Sequence, residues 1–304
     1  MRELWRGKAA LLRFCSEYEA WLRAGGKFLA SLLLLLTIAS GTEGRILELL
    51  PVIVIAAALC AILPDRWMFL AAVAVWEAGL WMHSPAAAAV AAAVLFVAAL
   101  CYVSFCPGQV WSVVGVCICL GLRIPFAAPV VFGLLCGPSA AVGIAVGTVL
   151  YYMTGALMET EAATGFQLQM LERVPAMFQE CIVSREMILL LVVLLAVFCA
   201  VCLLRSLAVN YSWSLGILAG ALVFVMLNGM EMLFLGVKVS WIQTVFQLAA
   251  GVLAGMLVQF LCHTPDYRRV QRLQFEDDDY YYYVKAVPKM EAGYDKTEKG
   301  DGGE

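Results

Sequence analysis

Arg123 is the residue whose placement in this chain most invites chemistry. It interrupts two long stretches, Ser84–Leu122 and Ile124–Met158, neither of which contains Asp, Glu, Lys or Arg. A guanidinium at the centre of a bilayer costs about 2.5–3.5 kcal/mol on insertion scales, so it has to be paired or reach water. Around it lie two half-length apolar runs, Trp111–Leu122 and a second run to Cys136, with Pro125 and Pro129 following the arginine. Such a pattern fits a broken helix that turns backbone groups and a charge toward a polar cavity. The alternative is that Arg123 ends a short span and reaches the membrane edge with its long side chain.

Two carboxylates are candidate partners of Arg123, or proton sites on a substrate path. Glu77 sits within Trp76-Glu-Ala-Gly-Leu-Trp81, and Glu231 lies between Met230 and Met232 late in an apolar run. Each has a simpler reading at the interface, the first near His83 and the second near Lys238. Metal and covalent chemistries find less support. His83 and His263 are the two histidines, and before the tail Asp65 stands alone, so neither a His-Glu-x-x-His zinc site nor an intramembrane aspartyl pair can be built. Gly137-Pro-Ser139 resembles a serine-nucleophile fragment but has no histidine at matching depth. Cys117-x-Cys119 and Cys199-x-x-Cys202 have no second Cys/His pair at zinc-ligand spacing and read as packing residues. No Gly-x-x-x-x-Gly-Lys-Ser/Thr loop occurs, so ATP would have to be used by another subunit. The chain is read as a non-enzyme with no cofactor.

The elements that would position Arg123 follow from composition. Of the 304 residues, 63% are apolar and 14% charged, and the apolar ones fall in runs longer than the roughly 18 residues that mark a transmembrane helix. Backbone groups in lipid must be satisfied within the segment, which restricts such runs to helices. The expected fold is an all-α polytopic transmembrane helix bundle. Residues 1–26 read as an amphipathic interfacial helix with Trp5 and Trp21 at headgroup level, broken by Gly25-Gly26. Residues 27–264 form the bundle, with spans over Phe28–Ser40, Ile46–Leu63, Trp67–Met82, Ala86–Phe105, Gly137–Met153, Ile188–Leu204, Trp213–Leu235 and Trp241–Cys262, and one polar loop over 159–186. Residues 265–304 form a cytoplasmic tail, disordered from Lys289 onward.

Orientation comes from the basic residues beside the first and last spans: Arg2, Arg6, Lys8, Arg13, Arg23 and Lys27 at one end, Arg268, Arg269 and Arg272 at the other. Both termini are therefore expected in the cytoplasm of a cell whose plasma membrane the chain crosses an even number of times. Reading Trp111–Gly137 as one crossing makes nine, which is odd. Two short crossings make ten, and either a re-entrant hairpin or a first apolar segment that does not cross makes eight, so the sequence supports about eight to ten membrane segments.

Glycines recur at four-residue spacing in Gly133/Gly137, Gly143/Gly147, Gly216/Gly220 and Gly251/Gly255, a pattern that lets helix backbones approach closely within the chain or in a homo-oligomer. In the tail, Asp277–Asp279 precede Tyr280, Tyr281, Tyr282 and Tyr283, and Tyr280–Val287 has the composition of a strand ended by Pro288. A lone strand is unstable, so the tyrosines are either part of a disordered acidic tail or a partner-binding strand that needs a sheet edge. Phe275–Pro288, with Asn210-Tyr-Ser-Trp-Ser214 opening a late span, resembles an uncharacterised family of bacterial multi-pass membrane proteins with an acidic, tyrosine-rich cytoplasmic tail. That resemblance covers about a fifth of the chain and implies a membrane location without an activity.

Two functions compete: a transporter or permease-type subunit whose substrate path uses Arg123, Glu77 and Glu231, and a membrane scaffold that recruits a cytosolic protein through its tail. The bilayer is the expected surrounding in both, and a net charge of −3 without a basic surface argues against nucleic acid. Reporter fusions after Lys27 and after Arg272 should both report the inner side of the membrane. Fusions reporting opposite sides would overturn the orientation.

Overall fold

The computed structural model describes residues 8, 13–40, 46–64, 73–74, 77–78, 81, 88–96, 110–164, 184–207, 211–235, 240–262, 271–276 and 281–286. Most of the expected span over Trp67–Met82, part of Ala86–Phe105, residues 165–183 of the polar loop, and the tail beyond Ala286 lie outside them. The chain divides into two compact units, Met1–Gln259 and Phe260–Glu304.

The first unit is a helical bundle, as the apolar runs require. Its main elements are α1 (Glu19–Ser40), α2 (Ile46–Ile62), α3 (Val110–Gly121), α4 (Ala127–Leu135), α5 (Ala140–Thr164), α6 (Arg185–Ser206), α7 (Ser212–Leu235) and α8 (Trp241–Cys262). Among the described residues four helices, Glu19–Thr37, Arg185–Ser206, Ser212–Phe234 and Trp241–Cys262, are long and apolar enough to cross a membrane. At 22 residues, α6 and α8 reach about 33 Å, enough for a hydrocarbon core of about 30 Å. Their outward faces are apolar and bare: Ile242 is 86% exposed and Leu233 of α7 is 80% exposed. In water such faces would be a liability, whereas in lipid they are the solvated surface.

Two sequence expectations need correction. Gly25-Gly26 does not break the N-terminal helix, because α1 runs without interruption from Glu19 to Ser40. Each glycine costs about 1 kcal/mol relative to alanine, but opening a helix at a membrane surface strands several backbone hydrogen bonds at higher cost. Lys27 also pins this turn: its ammonium donates to the Leu63 carbonyl just past the end of α2, at 3.2 Å. The polar loop is shorter than expected, since α5 continues through Glu159 to Thr164.

The second unit adds a small β-hairpin to the helical architecture. There β1 (Gln271–Glu276) pairs antiparallel with β2 (Tyr281–Ala286), with Phe275 opposite Tyr282 and Leu273 opposite Val284. The edge that the tyrosine strand required is supplied by the chain itself. Residues 277–280, with Asp277–Asp279 and Tyr280, lie outside the described set.

The broken stretch resolves into two half-length helices that pack against each other. Gly115 of α3 faces the Phe132 ring of α4, and Leu120 shares a buried cluster with Ala128, so α4 runs back along α3. At 12 and 9 residues they reach only about 18 Å and 14 Å. The hairpin therefore returns to the end of the bundle from which it came, as both the re-entrant and the two-short-crossing alternatives require.

Glycines set how closely the neighbours approach. Val201 of α6 fits between Gly133 of α4 and Gly216 and Gly220 of α7, and a Cβ placed on Gly220 would stand only 2.7 Å from its side chain. Gly251 of α8 lies against the Phe126 ring, and Gly255 against Val130 and Ile217. Gly143 is buried within α5, whereas Gly137 stands in the turn before α5 with open space around it. At Gly147 a Cβ would stand 2.8 Å from the Val113 carbonyl, a backbone atom that cannot swing aside. Gly147→Ala should therefore lower thermal stability in detergent by about 1–3 kcal/mol. Gly155→Ala, where nothing lies within 4 Å, should be neutral or stabilising. Equal shifts for the two variants would show that α3 and α5 do not pack as described.

Candidate functional site

The hairpin turn is built by backbone rules and then departs from them at one residue. After α3 the Arg123 N–H donates to the Leu120 carbonyl (3.0 Å) and the Ile124 N–H to the Cys119 carbonyl (2.8 Å), the paired bonds of a Schellman helix end. That motif places its penultimate residue in the left-handed region, and Arg123 has φ of 59°. Glycine is the usual occupant, because a side chain there costs about 1–2 kcal/mol. Pro125 follows, where its missing N–H is harmless at the start of a helix, and Phe126 leads into α4. A strained arginine where glycine would fit better points to a use for the side chain.

Arg123 lines a cavity of about 660 Å³. The apolar side of the lining includes Leu120, Val193 and Phe224, and the Phe126 ring packs on that of Phe224 at 4.8 Å between centroids. The polar walls come from four helices. α5 contributes Tyr151 and Tyr152, and α6 contributes Arg185 and Glu186 from its first turn. α7 contributes Asn228 and Glu231, and α8 with the residue before it contributes Ser240, Gln243, Thr244 and Gln247. From Ser240 to Gln247 the chain descends about 10 Å, and Phe126 lies against Gly251 one turn further. The hairpin tip thus closes the cavity about halfway along a membrane-length helix.

Within the cavity some polar groups are already engaged. Asn228 Nδ2 donates to the Phe224 carbonyl (2.8 Å) and Thr244 Oγ1 to the Ser240 carbonyl (3.2 Å), which leaves the Asn228 carbonyl oxygen facing other partners. Tyr152 lies within electrostatic range of both Glu186 and Glu231, and its ring meets that of Tyr151 edge-on at 5.8 Å. Arg185 stands next to Glu186 in the same lining, so the charges of both signs share this wall. Among the described residues no ion pair joins Arg123 to either carboxylate.

Of the residues singled out in the sequence, the structure brings Arg123 and Glu231 to one cavity and leaves Glu77 outside its lining. One Glu77 carboxylate oxygen is buried without a hydrogen-bond partner among the described residues. Cys117 is buried and its thiol donates to the Gly147 carbonyl at 3.4 Å, while Cys199 is exposed. Among the described residues no group of three His, Cys, Asp or Glu side chains could hold a metal ion. Sequence reading missed Tyr151, Tyr152, Arg185, Glu186, Asn228, Gln243 and Gln247. A signal for the last three was present: Ser240, Gln243, Thr244 and Gln247 repeat at helical spacing as a polar stripe on an otherwise apolar helix, as do Asn228 and Glu231. Arg205 was missed too. It donates to the Cys136 carbonyl at the end of α4 (3.0 Å) and lies over the Trp213 ring at 5.4 Å, locking the return arm of the hairpin to α6 and α7.

Compared with known proteins, the chain matches no protein-family model, no curated protein and no solved structure.

Proposed function

We propose that this membrane protein is a transporter or permease-type subunit and that its substrate path passes through the cavity at the hairpin tip. The observation that carries the reading is the meeting of Arg123 and Glu231, from a re-entrant tip and from a long helix, on one polar cavity inside an apolar bundle. Half-length helices that end inside a bundle are how transporters aim backbone and charge at a ligand near the midplane. Charges at such depth are costly and are retained where they line water or a substrate path.

In this reading both termini are cytoplasmic and the chain crosses the plasma membrane eight times. Lys27 and Arg205 belong to the end of the bundle away from the cavity mouth, so the positive-inside bias turns the mouth toward the outer face. The driving force would come from an ion gradient or a separate ATP-using subunit. The tail hairpin favours a second reading, recruitment of a cytosolic protein. Among the described residues its sheet has only two strands, so each keeps an edge to which an extended segment could add.

Arg123→Cys should react with a membrane-impermeant thiol reagent added from the outer face, above the background of the parent chain's own cysteines. Arg123→Leu should insert normally and lose flux. Absence of added labelling from either face would mean that the site is dry, and the transport reading would fall.

A further inference from the structure

The N-terminal helix carries its polar and apolar side chains on opposite faces before it enters the bundle. Upstream of Glu19 the helical bonding of α1 continues, with the Tyr18 N–H donating to the Phe14 carbonyl (3.0 Å) and the Leu22 N–H to the Tyr18 carbonyl (2.9 Å). Lys27 marks the level at which α2 ends, through its bond to Leu63. Phe14 lies about 20 Å further along the axis. A helix that prolongs α1 without a break leaves the bundle end-on instead of lying along the bilayer, so its flanks meet water. One flank, with Ser16, Glu17, Ala20, Arg23 and Lys27, lines a groove shared with Ala61 of α2. The other carries Phe14, Tyr18, Trp21, Leu22 and Leu29, all exposed, Trp21 by 80%. A contiguous apolar stripe in water marks an interaction surface.

The spacing identifies what covers the stripe. Cys15, Tyr18, Leu22, Gly25 and Leu29 recur at alternating steps of three and four residues, the a and d positions of a heptad seam, while Ser16, Glu17, Arg23 and Lys27 fall off it. Copies of one membrane chain insert in the same direction, so this seam meets its own image in parallel about a two-fold axis. We infer that the chain forms a homodimer through residues 14–29, as a short parallel coiled coil. In that register Trp21 of one copy lies across from Gly26 of the other. An added Cβ at Gly25 or Gly26 would meet nothing within 4 Å, so the indole has room there. Glu19 falls across from Phe14 and already pairs with Arg23 of its own helix (2.9 Å), so the seam opposes no like charges. The exposed parts of the five side chains come to on the order of 500 Å² per copy, about 1,000 Å² for the pair, the size that a specific interface requires.

The test counts copies of the full chain in dilute vesicles by single-molecule bleaching, with one dye on each chain. The parent chain should bleach in two steps. Tyr18→Glu with Leu22→Glu should raise the dissociation constant about tenfold or more, whereas Ala24→Glu on the polar flank should leave the dimer intact. Cys15 stands on the seam opposite its counterpart, so mild oxidation should link two copies. Cys15→Ser should remove that link and keep the two-step count. A single-step parent chain would overturn the inference. If Leu22→Cys in such a chain were also shielded from a water-soluble thiol reagent, the stripe would lie in the headgroup layer instead. A dimer that survives the paired glutamates would place the contact elsewhere on the bundle and would equally overturn it. Stronger linking through Ala24→Cys than through Cys15 would place it on the wrong face, with the same result.

Discussion

Everything around the cavity depends on a chain reversal made at about mid-depth of an apolar bundle. In hydrocarbon an unsatisfied N–H or C=O costs several kcal/mol, which is why spanning segments are normally unbroken helices. The turn at Leu122–Phe126 meets this constraint with its own bonds. Arg123 and Ile124 donate back into α3, and Ala127 and Ala128 donate to the Ile124 and Pro125 carbonyls. Pro125 contributes no donor that would need a partner. The other end of α4 is treated in the same way, because the Cys136 carbonyl receives the Arg205 guanidinium. With both ends satisfied, a helix of 9 residues can stand inside the bundle.

Satisfied ends do not hold the hairpin in place. Between helices in lipid there is little hydrophobic driving force, so association has to come from close packing. Val201 seated among Gly133, Gly216 and Gly220 brings α4, α6 and α7 to one point. Phe126, seated on Gly251 and against Phe224, fixes the tip to α7 and α8. The two anchors lie about two turns apart along α4. Together they set the height of Arg123, because the arginine is three residues from Phe126 through a turn whose hydrogen bonds leave little play. Phe224, which packs on Phe126, also lines the cavity, so the tip anchor and the site share a residue.

This division explains what the sequence could and could not reveal. The apolar runs among the described residues, the half-length pair around Arg123 and three of the four glycine pairs are local patterns that map onto helices, whereas Gly137 of the fourth pair stands in a turn. Gly25-Gly26 misled because propensity is a weak prior beside the backbone demands of a membrane segment. Glu231 could be noticed but not placed, because whether it meets Arg123 or the interface depends on how α7 is rotated, which Val201 and its glycines decide. Tyr151, Tyr152 and Glu186 gave no signal of their own, since aromatic and charged residues near helix ends are ordinary in membrane proteins. The β1 strand was overlooked for a related reason. Gln271-Arg-Leu-Gln-Phe-Glu276 has little strand character until the register sets Leu273 opposite Val284 and Phe275 opposite Tyr282.

Arg123, Glu186 and Glu231 line one cavity, yet among the described residues no ion pair joins the arginine to either carboxylate. Opposite charges within about 4 Å at a protein surface attract by about 4 kcal/mol, and more strongly where water is excluded, so flexible walls would collapse into a salt bridge. The strained turn at Arg123 restricts where its side chain can project, and Phe126 packs the turn onto Phe224 of α7 and Gly251 of α8. An arginine on a turn fixed by these contacts reaches the cavity from a set point, which the glycine that would have made the easier turn could not do.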